Sequence, residues 1–110
     1  MEVRGFISEL YRHLAACDLA VVQGGLTTCM ELTATRRPFL YVPLRHHFEQ
    51  NFHVRHRLNA YGAGRMLDFD LATPAAIAEL ITQEIGREVG YRPVERDGAS
   101  RAAALIAELL

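Results

Sequence analysis

A short apolar run followed by two glycines and a helical pattern constrains the fold of this sequence most. Residues 19–22 (LAVV) are too few for a helix and have the composition of a buried strand. The glycines of Gln23-Gly24-Gly25 then allow a tight turn into a helix. Residues 39–42 (FLYV) form a second such run, which Pro43 ends. Strands that alternate with helices predict an α/β fold with a parallel sheet flanked by helices.

The remaining elements follow from helix and strand periodicity and from capping residues. They are a strand at residues 1–4, a helix capped by Ser8, a helix at residues 48–60 with Val54, Leu58 and Tyr61 on its apolar face, a strand at residues 65–69, a helix that Thr73-Pro74 begins, and a helix at residues 100–110.

Composition excludes several classes of protein. With 110 residues, of which 50% are hydrophobic and 23% charged, the chain predicts one globular domain or part of one. A formal net charge of −1 argues against a general nucleic-acid binder. No apolar run approaches the ~20 residues of a membrane span. Cys17 and Cys29 stand alone without a CxxC pattern, which predicts a reducing, cytoplasmic setting rather than a disulfide framework.

The glycine turn is a candidate site for a diphosphate. Glycines let a ligand approach the backbone, and the free N–H groups of a first helical turn attract anions. Ligands of open parallel sheets bind outside the carboxyl ends of the strands, where this turn lies. The alternative is a tight strand–helix connection with no ligand. Thr28 and Glu31 likewise have two readings: a capping box at a helix start, or a carboxylate that accepts hydrogen bonds from the two hydroxyls of a ribose.

Residues 45–51 form a second polar cluster, directly after the second strand. If the two strands are parallel, Glu49 and Gln50 face the same crevice as the glycine turn, where a carboxylate and a carboxamide could bind sugar hydroxyls. The alternative is a solvated polar loop. The nearby histidines His46, His47, His53 and His56 lack the further ligands of a metal site, so no metal is predicted.

Together these motifs resemble the C-terminal, donor-binding half of glycosyltransferases with two Rossmann-like domains, the GT-B architecture. Glycosyltransferase family 28 and the related UDP-glycosyltransferases are the most similar in pattern. The resemblance rests on residues 18–31 (DLAVVQGGLTTCME), on Arg37-Pro38, on Pro43, on Glu49-Gln50 and on the glycine-rich helix stop at residues 61–64. It covers roughly residues 2–68.

The resemblance implies a partial Rossmann-like domain and a set of donor-binding residues. Those residues are Gln23, Gly24, Gly25, Leu26, Thr27, Thr28, Glu31, His47, Glu49 and Gln50. It implies no catalytic residue in this chain, since relatives draw the general base from their acceptor domain, and neither a metal nor a cofactor. Gln23 replaces a histidine of many relatives and Glu49 replaces an aspartate, which leaves the identity of the sugar open.

The implied function is UDP-sugar binding within a hexosyltransferase, with the isolated chain inactive in transfer. Residues 1–110 would be a single partial domain, with the motifs in residues 2–68 and C-terminal helices in residues 74–110. The expected partners are a UDP-sugar and an acceptor-binding domain or subunit, through which the chain would reach the inner face of the membrane from the cytoplasm. The alternatives are the donor-binding subunit of a two-chain enzyme, or a non-catalytic remnant or partner-binding module, including a homodimer formed through an exposed sheet edge.

Overall fold

A three-stranded parallel sheet organises the chain, in a computed structural model that describes residues 1–110. Strands β1 (Ala20–Val22), β2 (Phe39–Tyr41) and β3 (Arg65–Met66) lie in that order across the sheet. Ala20 is in register with Phe39, and Leu40 with Arg65. The predicted α/β fold with a parallel sheet is therefore confirmed.

Helices connect the strands and flank the sheet. In chain order they are α1 (Leu10–Ala16), α2 (Leu26–Ala34), a π-helical segment (Glu49–Val54) that continues into α3 (Arg55–Tyr61), a 3-10 turn (Phe69–Leu71), α4 (Pro74–Glu84) and α5 (Gly98–Ala107). None of these helices combines the length and apolar character that crossing a membrane requires.

All three residues of β2 are buried, and the main core cluster lies on the face that carries Phe39 and Tyr41. Leu32 of α2 and Leu58 of α3 are fully buried in the core that contains this strand. Leu58 was predicted to lie on the apolar face of the helix at residues 48–60. The connector between α4 and α5 closes the core, because Tyr91 packs edge-on against Phe39 and donates its hydroxyl hydrogen to the carbonyl of Arg37 at 3.0 Å. The connector thus covers the end of β2 opposite the loops that follow β1 and β2.

Two element boundaries are set by turn residues that the sequence suggests. Gly62 ends α3 in the left-handed conformation, with φ at 64°. The side chain of Thr73 caps α4 by accepting a hydrogen bond from the N–H of Ala76 at 3.1 Å, and Pro74 follows at the first helical position. The predicted start of this helix is confirmed.

Three local predictions are wrong. Residues 1–4 are not a strand but an exposed segment without a pairing partner, since Val3 is their one residue with a branched apolar side chain and it stays in solvent. Ser8 does not cap α1; Glu9 precedes the helix with φ at 52° and its side chain makes no capping hydrogen bond. The strand predicted at residues 65–69 stops at Met66, because the Asp68 carboxylate accepts from the N–H of Asp70 and begins a 3-10 turn.

The molecule is elongated, with overall extents of 57 × 30 × 29 Å, and α5 is its last helix. It begins at Gly98, two residues before the predicted start, and ends at Ala107. Its larger apolar side chains, Leu105 and Ile106, remain mostly in solvent.

Candidate functional site

The loops after β1 and β2 meet at the carboxyl edge of the sheet. A Cβ atom placed on Gly24 would lie 3.4 Å from Cα of Pro43 and 3.7 Å from Oε1 of Gln50. The parallel register of the two strands brings these loops to one edge, so the glycine turn and Gln50 share one crevice.

The two glycines of the turn play different parts. Gly24 is buried and has φ at 122°, a backbone conformation that side chains rarely permit. Gly25 has an ordinary φ of −65° and precedes α2, and a Cβ atom there would meet nothing within 4 Å. Gly24 thus allows the turn itself, whereas Gly25 leaves open space in front of the helix.

The first turn of α2 faces this open space with unpaired donors. The N–H groups of Leu26, Thr27 and Thr28 form no hydrogen bond within the chain, and neither do the two threonine hydroxyls. By contrast, the hydroxyl of Thr33 later in the helix donates to the carbonyl of Cys29 at 2.7 Å. An exposed first turn with free N–H groups attracts an anion, because the peptide dipoles place positive potential at that end.

The capping-box reading of Thr28 and Glu31 is wrong. Helix α2 begins at Leu26, which places Thr28 at its third residue, and no side chain caps it. Glu31 lies at the sixth residue, half-buried, and its carboxylate has no hydrogen bond or ion pair. Its two oxygens remain available one turn beyond the anion-attracting end of the helix.

Two consecutive carboxamides shape the loop after β2. Oε1 of Gln50 accepts a hydrogen bond from the N–H of Leu44 at 2.9 Å, and Nδ2 of Asn51 donates to the carbonyl oxygens of Leu44 and His47, both at 2.8 Å. The side chains of Gln50 and Asn51 therefore hold both backbone groups of Leu44. Because Gln50 is only 7% exposed, the reading of this cluster as a solvated loop is wrong for that residue. Nε2 of Gln50 has no partner in the chain and keeps two donors for a ligand.

Glu49 and His47 lie on different sides of Gln50. Glu49 is exposed and lines a cavity of about 300 Å³ together with Leu26 of α2 and His53. His47 lines a separate cavity of about 500 Å³ beyond the loop, and its Nδ1 accepts from the N–H of Gln50 at 3.3 Å. The structure thus brings Gln50 and Glu49 to the glycine turn and α2, and places His47 on the far side of the loop.

Gln23 borders a further cavity, of about 550 Å³, along the outer edge of β1. Gly25 and Thr28 line it from the α2 side, and Val21 of the edge strand lines its floor. This cavity therefore adjoins the free N–H groups of α2.

Neither a metal-binding cluster nor a reactive thiol lies among the side chains around the site. No three histidine, cysteine, aspartate or glutamate side chains lie where they could hold a metal ion together. Burial raises the pKa of the Cys29 thiol to about 11, which keeps it protonated and unreactive as a nucleophile.

Sequence reasoning missed the clamp that Asn51 places on Leu44. The signal available was two adjacent carboxamides a few residues after a proline-terminated strand, but the contact depends on how the loop folds back. The sequence also gave no sign that the helix after the loop begins with a π-helical segment, a form that is often found at functional sites.

The chain matches the glycosyltransferase family 28 C-terminal domain over residues 1–108. The chain belongs to this family. The predicted resemblance and the Rossmann-like, GT-B C-terminal fold are confirmed. No solved structure matches the chain.

Curated relatives of this glycosyltransferase family 28 chain share one name. They are UDP-N-acetylglucosamine–N-acetylmuramyl-(pentapeptide) pyrophosphoryl-undecaprenol N-acetylglucosamine transferases. The protein of Anaeromyxobacter sp. (strain K) is 33% identical over 106 residues, which is 93% of this chain and 26% of the relative. That of Sulfurovum sp. (strain NBC37-1) is 28% identical over 115 residues, 96% of this chain and 32% of the relative. The chain therefore spans about a quarter to a third of the length of these relatives.

Proposed function

We propose that this chain binds the UDP-sugar donor of a hexosyltransferase. The observation that carries the proposal is the first turn of α2, where three N–H groups and two threonine hydroxyls face open space without a partner behind Gly24 and Gly25. Membership in glycosyltransferase family 28 supports an enzyme part and does not favour a non-catalytic remnant.

Each part of the donor has a matching group in this crevice. The diphosphate accepts hydrogen bonds from the N–H groups of Leu26, Thr27 and Thr28, and the ribose hydroxyls donate to the free carboxylate of Glu31. The transferred sugar lies against the Nε2 donors of Gln50 and, from the other side, the carboxylate of Glu49. His47 serves the loop rather than the diphosphate, since its Nδ1 accepts from the N–H of Gln50.

The same groups assist the transfer step. When an acceptor hydroxyl displaces the nucleotide from the anomeric carbon, negative charge grows on the leaving diphosphate. The N-terminal dipole of α2 stabilises that charge more than it stabilises the bound donor, which lowers the barrier. The general base that removes the proton of the acceptor comes from outside this chain.

The relatives indicate which donor and acceptor to test first. Their shared name gives UDP-N-acetylglucosamine as donor and a lipid-linked muramyl pentapeptide as acceptor. We propose that residues 1–110 are one partial domain and that an acceptor-binding half, in the same or a second polypeptide, completes the enzyme at the cytoplasmic face of the membrane. The open outer edge of β1 leaves room for such a half, or for a second copy, to pair with the sheet. We expect the chain alone to transfer no sugar.

Calorimetric titration with UDP tests the donor-binding proposal. The chain is expected to bind UDP in the micromolar to millimolar range, and Glu31→Ala to weaken this at least about tenfold, because a hydrogen bond to a charged group contributes about 1.5–3 kcal/mol. Glu79→Ala, which removes an exposed carboxylate from α4, serves as the matched control and should bind as the parent does. Equal affinities for the Glu31→Ala and Glu79→Ala variants would refute the role of Glu31.

A further inference from the structure

The cavity that His47 lines opens at the carboxyl ends of β2 and β3, outside the crevice assigned to the donor. Its volume of about 500 Å³ lies within the range of small-molecule sites, about 300–1,000 Å³. The loop after β2 forms one wall, the π-helical segment and the start of α3 form the second, and the 3-10 turn after β3 forms the third. The donor contacts proposed above leave it empty.

Phenylalanine side chains that no core residue covers form the apolar part of this cavity. Phe48 and Phe52 stack with their ring centroids 4.8 Å apart, yet they are 64% and 61% exposed. Phe69 lines the same cavity from the 3-10 turn and is also exposed, with the guanidinium of Arg45 at 5.4 Å from its ring centroid. A cluster of three solvent-exposed aromatic rings is more typical of a ligand-binding surface than of an ordinary protein surface.

The charged groups of the cavity balance one another. Arg45 is paired with Asp70, and Arg55 and Asp68 also line the cavity. Leaving the histidines aside, two positive and two negative side chains give no net attraction for an anion or a cation. This balance argues against a phosphate group and against an ammonium group as the occupant.

The polar atoms left free are a mixture of donors and acceptors. The guanidinium of Arg55 has no hydrogen-bond partner in the chain, Oδ1 of Asn51 is unused while its Nδ2 holds the loop, and only one carboxylate oxygen of Asp68 is engaged. A sugar ring presents apolar C–H faces and a rim of hydroxyls that both donate and accept. That combination fits aromatic walls with mixed polar groups better than a purely apolar or a charged ligand does.

We infer that this cavity binds a neutral saccharide ring, stacked on the Phe48–Phe52 pair and hydrogen-bonded to Arg55, Asn51 and Asp68. The inference deepens the proposed function, because His47 links the cavity to Gln50 of the donor crevice. His46, at the rim, has φ at 63°, a conformation that nonglycine residues adopt where surrounding structure enforces it.

Amide NMR titration of the ¹⁵N-labelled chain with free N-acetylglucosamine tests the inference. We expect shifts confined to residues 45–55 and 66–70, and Phe52→Ala is expected to weaken the binding at least about tenfold. Phe52 is largely exposed, so its removal leaves the fold intact, which the remaining amide positions report. Phe6→Ala removes an exposed phenylalanine that does not line this cavity. It is the matched control and should leave the affinity for N-acetylglucosamine unchanged. No shifts in these segments, or equal affinities for the two variants, would overturn the inference.

Titrations with UDP and UDP-N-acetylglucosamine identify the source of the saccharide. If UDP-N-acetylglucosamine shifts the amides of the cavity and UDP does not, the cavity takes the sugar of the donor, and the placement of that sugar against Gln50 and Glu49 is wrong. If it takes a sugar of the acceptor, both nucleotides shift only the donor crevice and free saccharide still binds beside them. A failure of UDP to shift residues 24–28 would refute the proposed donor site, whereas the saccharide shifts are read from other amides. The proposed donor site and the proposed saccharide cavity can therefore be refuted independently of each other.

Discussion

Replacing Gly64 by alanine should destabilise the fold through one identifiable contact. Gly64 has φ at 68°, and a Cβ atom there would lie 2.5 Å from Cε2 and 2.6 Å from Cζ of Phe39. The Phe39 ring cannot move away easily, because it is 1% exposed and lies with its centroid 6.1 Å from those of both Tyr41 and Tyr91. The substitution therefore adds a steric overlap to a left-handed backbone.

Gly62→Ala separates the two contributions. Gly62 has nearly the same φ, 64°, but a Cβ atom there would meet nothing within 4 Å. Both substitutions incur the left-handed conformation of alanine, about 1–2 kcal/mol, and only Gly64→Ala adds overpacking, about 1–3 kcal/mol. The difference between the two losses in free energy of unfolding should thus be about 1–3 kcal/mol.

Urea unfolding followed by circular dichroism measures this difference. At about 4–8 °C per kcal/mol for a domain of 60–100 residues, the two midpoints should also separate clearly on heating. If Gly64→Ala and Gly62→Ala lose the same stability to within about 0.5 kcal/mol, the packing assigned to Phe39 at the base of the sheet is wrong.

Three further predictions address the loops and the thiols. Asn51→Ala should lower the free energy of unfolding by about 1–2 kcal/mol, since two hydrogen bonds to backbone carbonyls are lost, whereas Asn59→Ala at an exposed site should change it little in the same urea assay. Gly25→Ala should lower the free energy of unfolding by only about 0.5–1 kcal/mol, because alanine is a poorer helix cap than glycine. It should nevertheless weaken UDP binding at least about tenfold in calorimetry, because the methyl group enters the space proposed for the diphosphate. Burial raises the pKa of Cys29 from 9.0 to about 11, so the thiol favours folding below pH 9 and this stabilisation is lost as the pH rises towards 11. Comparison of the parent with Cys29→Val across that range measures the effect, and iodoacetamide at pH 8.5 should modify Cys17 but not Cys29 in the folded chain.

The parallel sheet could be predicted because two of its strands are short apolar runs placed between helical patterns. Residues 19–22 and 39–42 are too short for helices and fit buried strands, and the helix between them is typical of a parallel pair. The segment at residues 1–4 looked similar in length but supplies too little apolar surface to be buried. The sequence of residues 1–4 alone does not show whether another strand is available to pair with them.

The candidate site was predictable in its residues and not in its contacts. The glycines and the threonines at the start of α2 are visible as a motif, and so is the acidic residue one turn later. The burial of Gln50 and its bond to Leu44 depend on how the loop folds back, which sequence spacing does not encode. The spacing of Thr28 and Glu31 also fits a capping box, and only the start of α2 at Leu26 excludes it.

The central claim is that the first turn of α2 holds the diphosphate of a nucleotide sugar. It is tested most directly by amide NMR of the ¹⁵N-labelled chain, titrated in parallel with UDP and with uridine, which lacks the diphosphate. We expect UDP to shift the amides of Gly24, Gly25, Leu26, Thr27 and Thr28. Uridine should shift these five far less, and the amides of α4 and α5 should stay in place. Equal shifts with the two ligands, or a folded chain whose five amides do not respond to UDP, would contradict it.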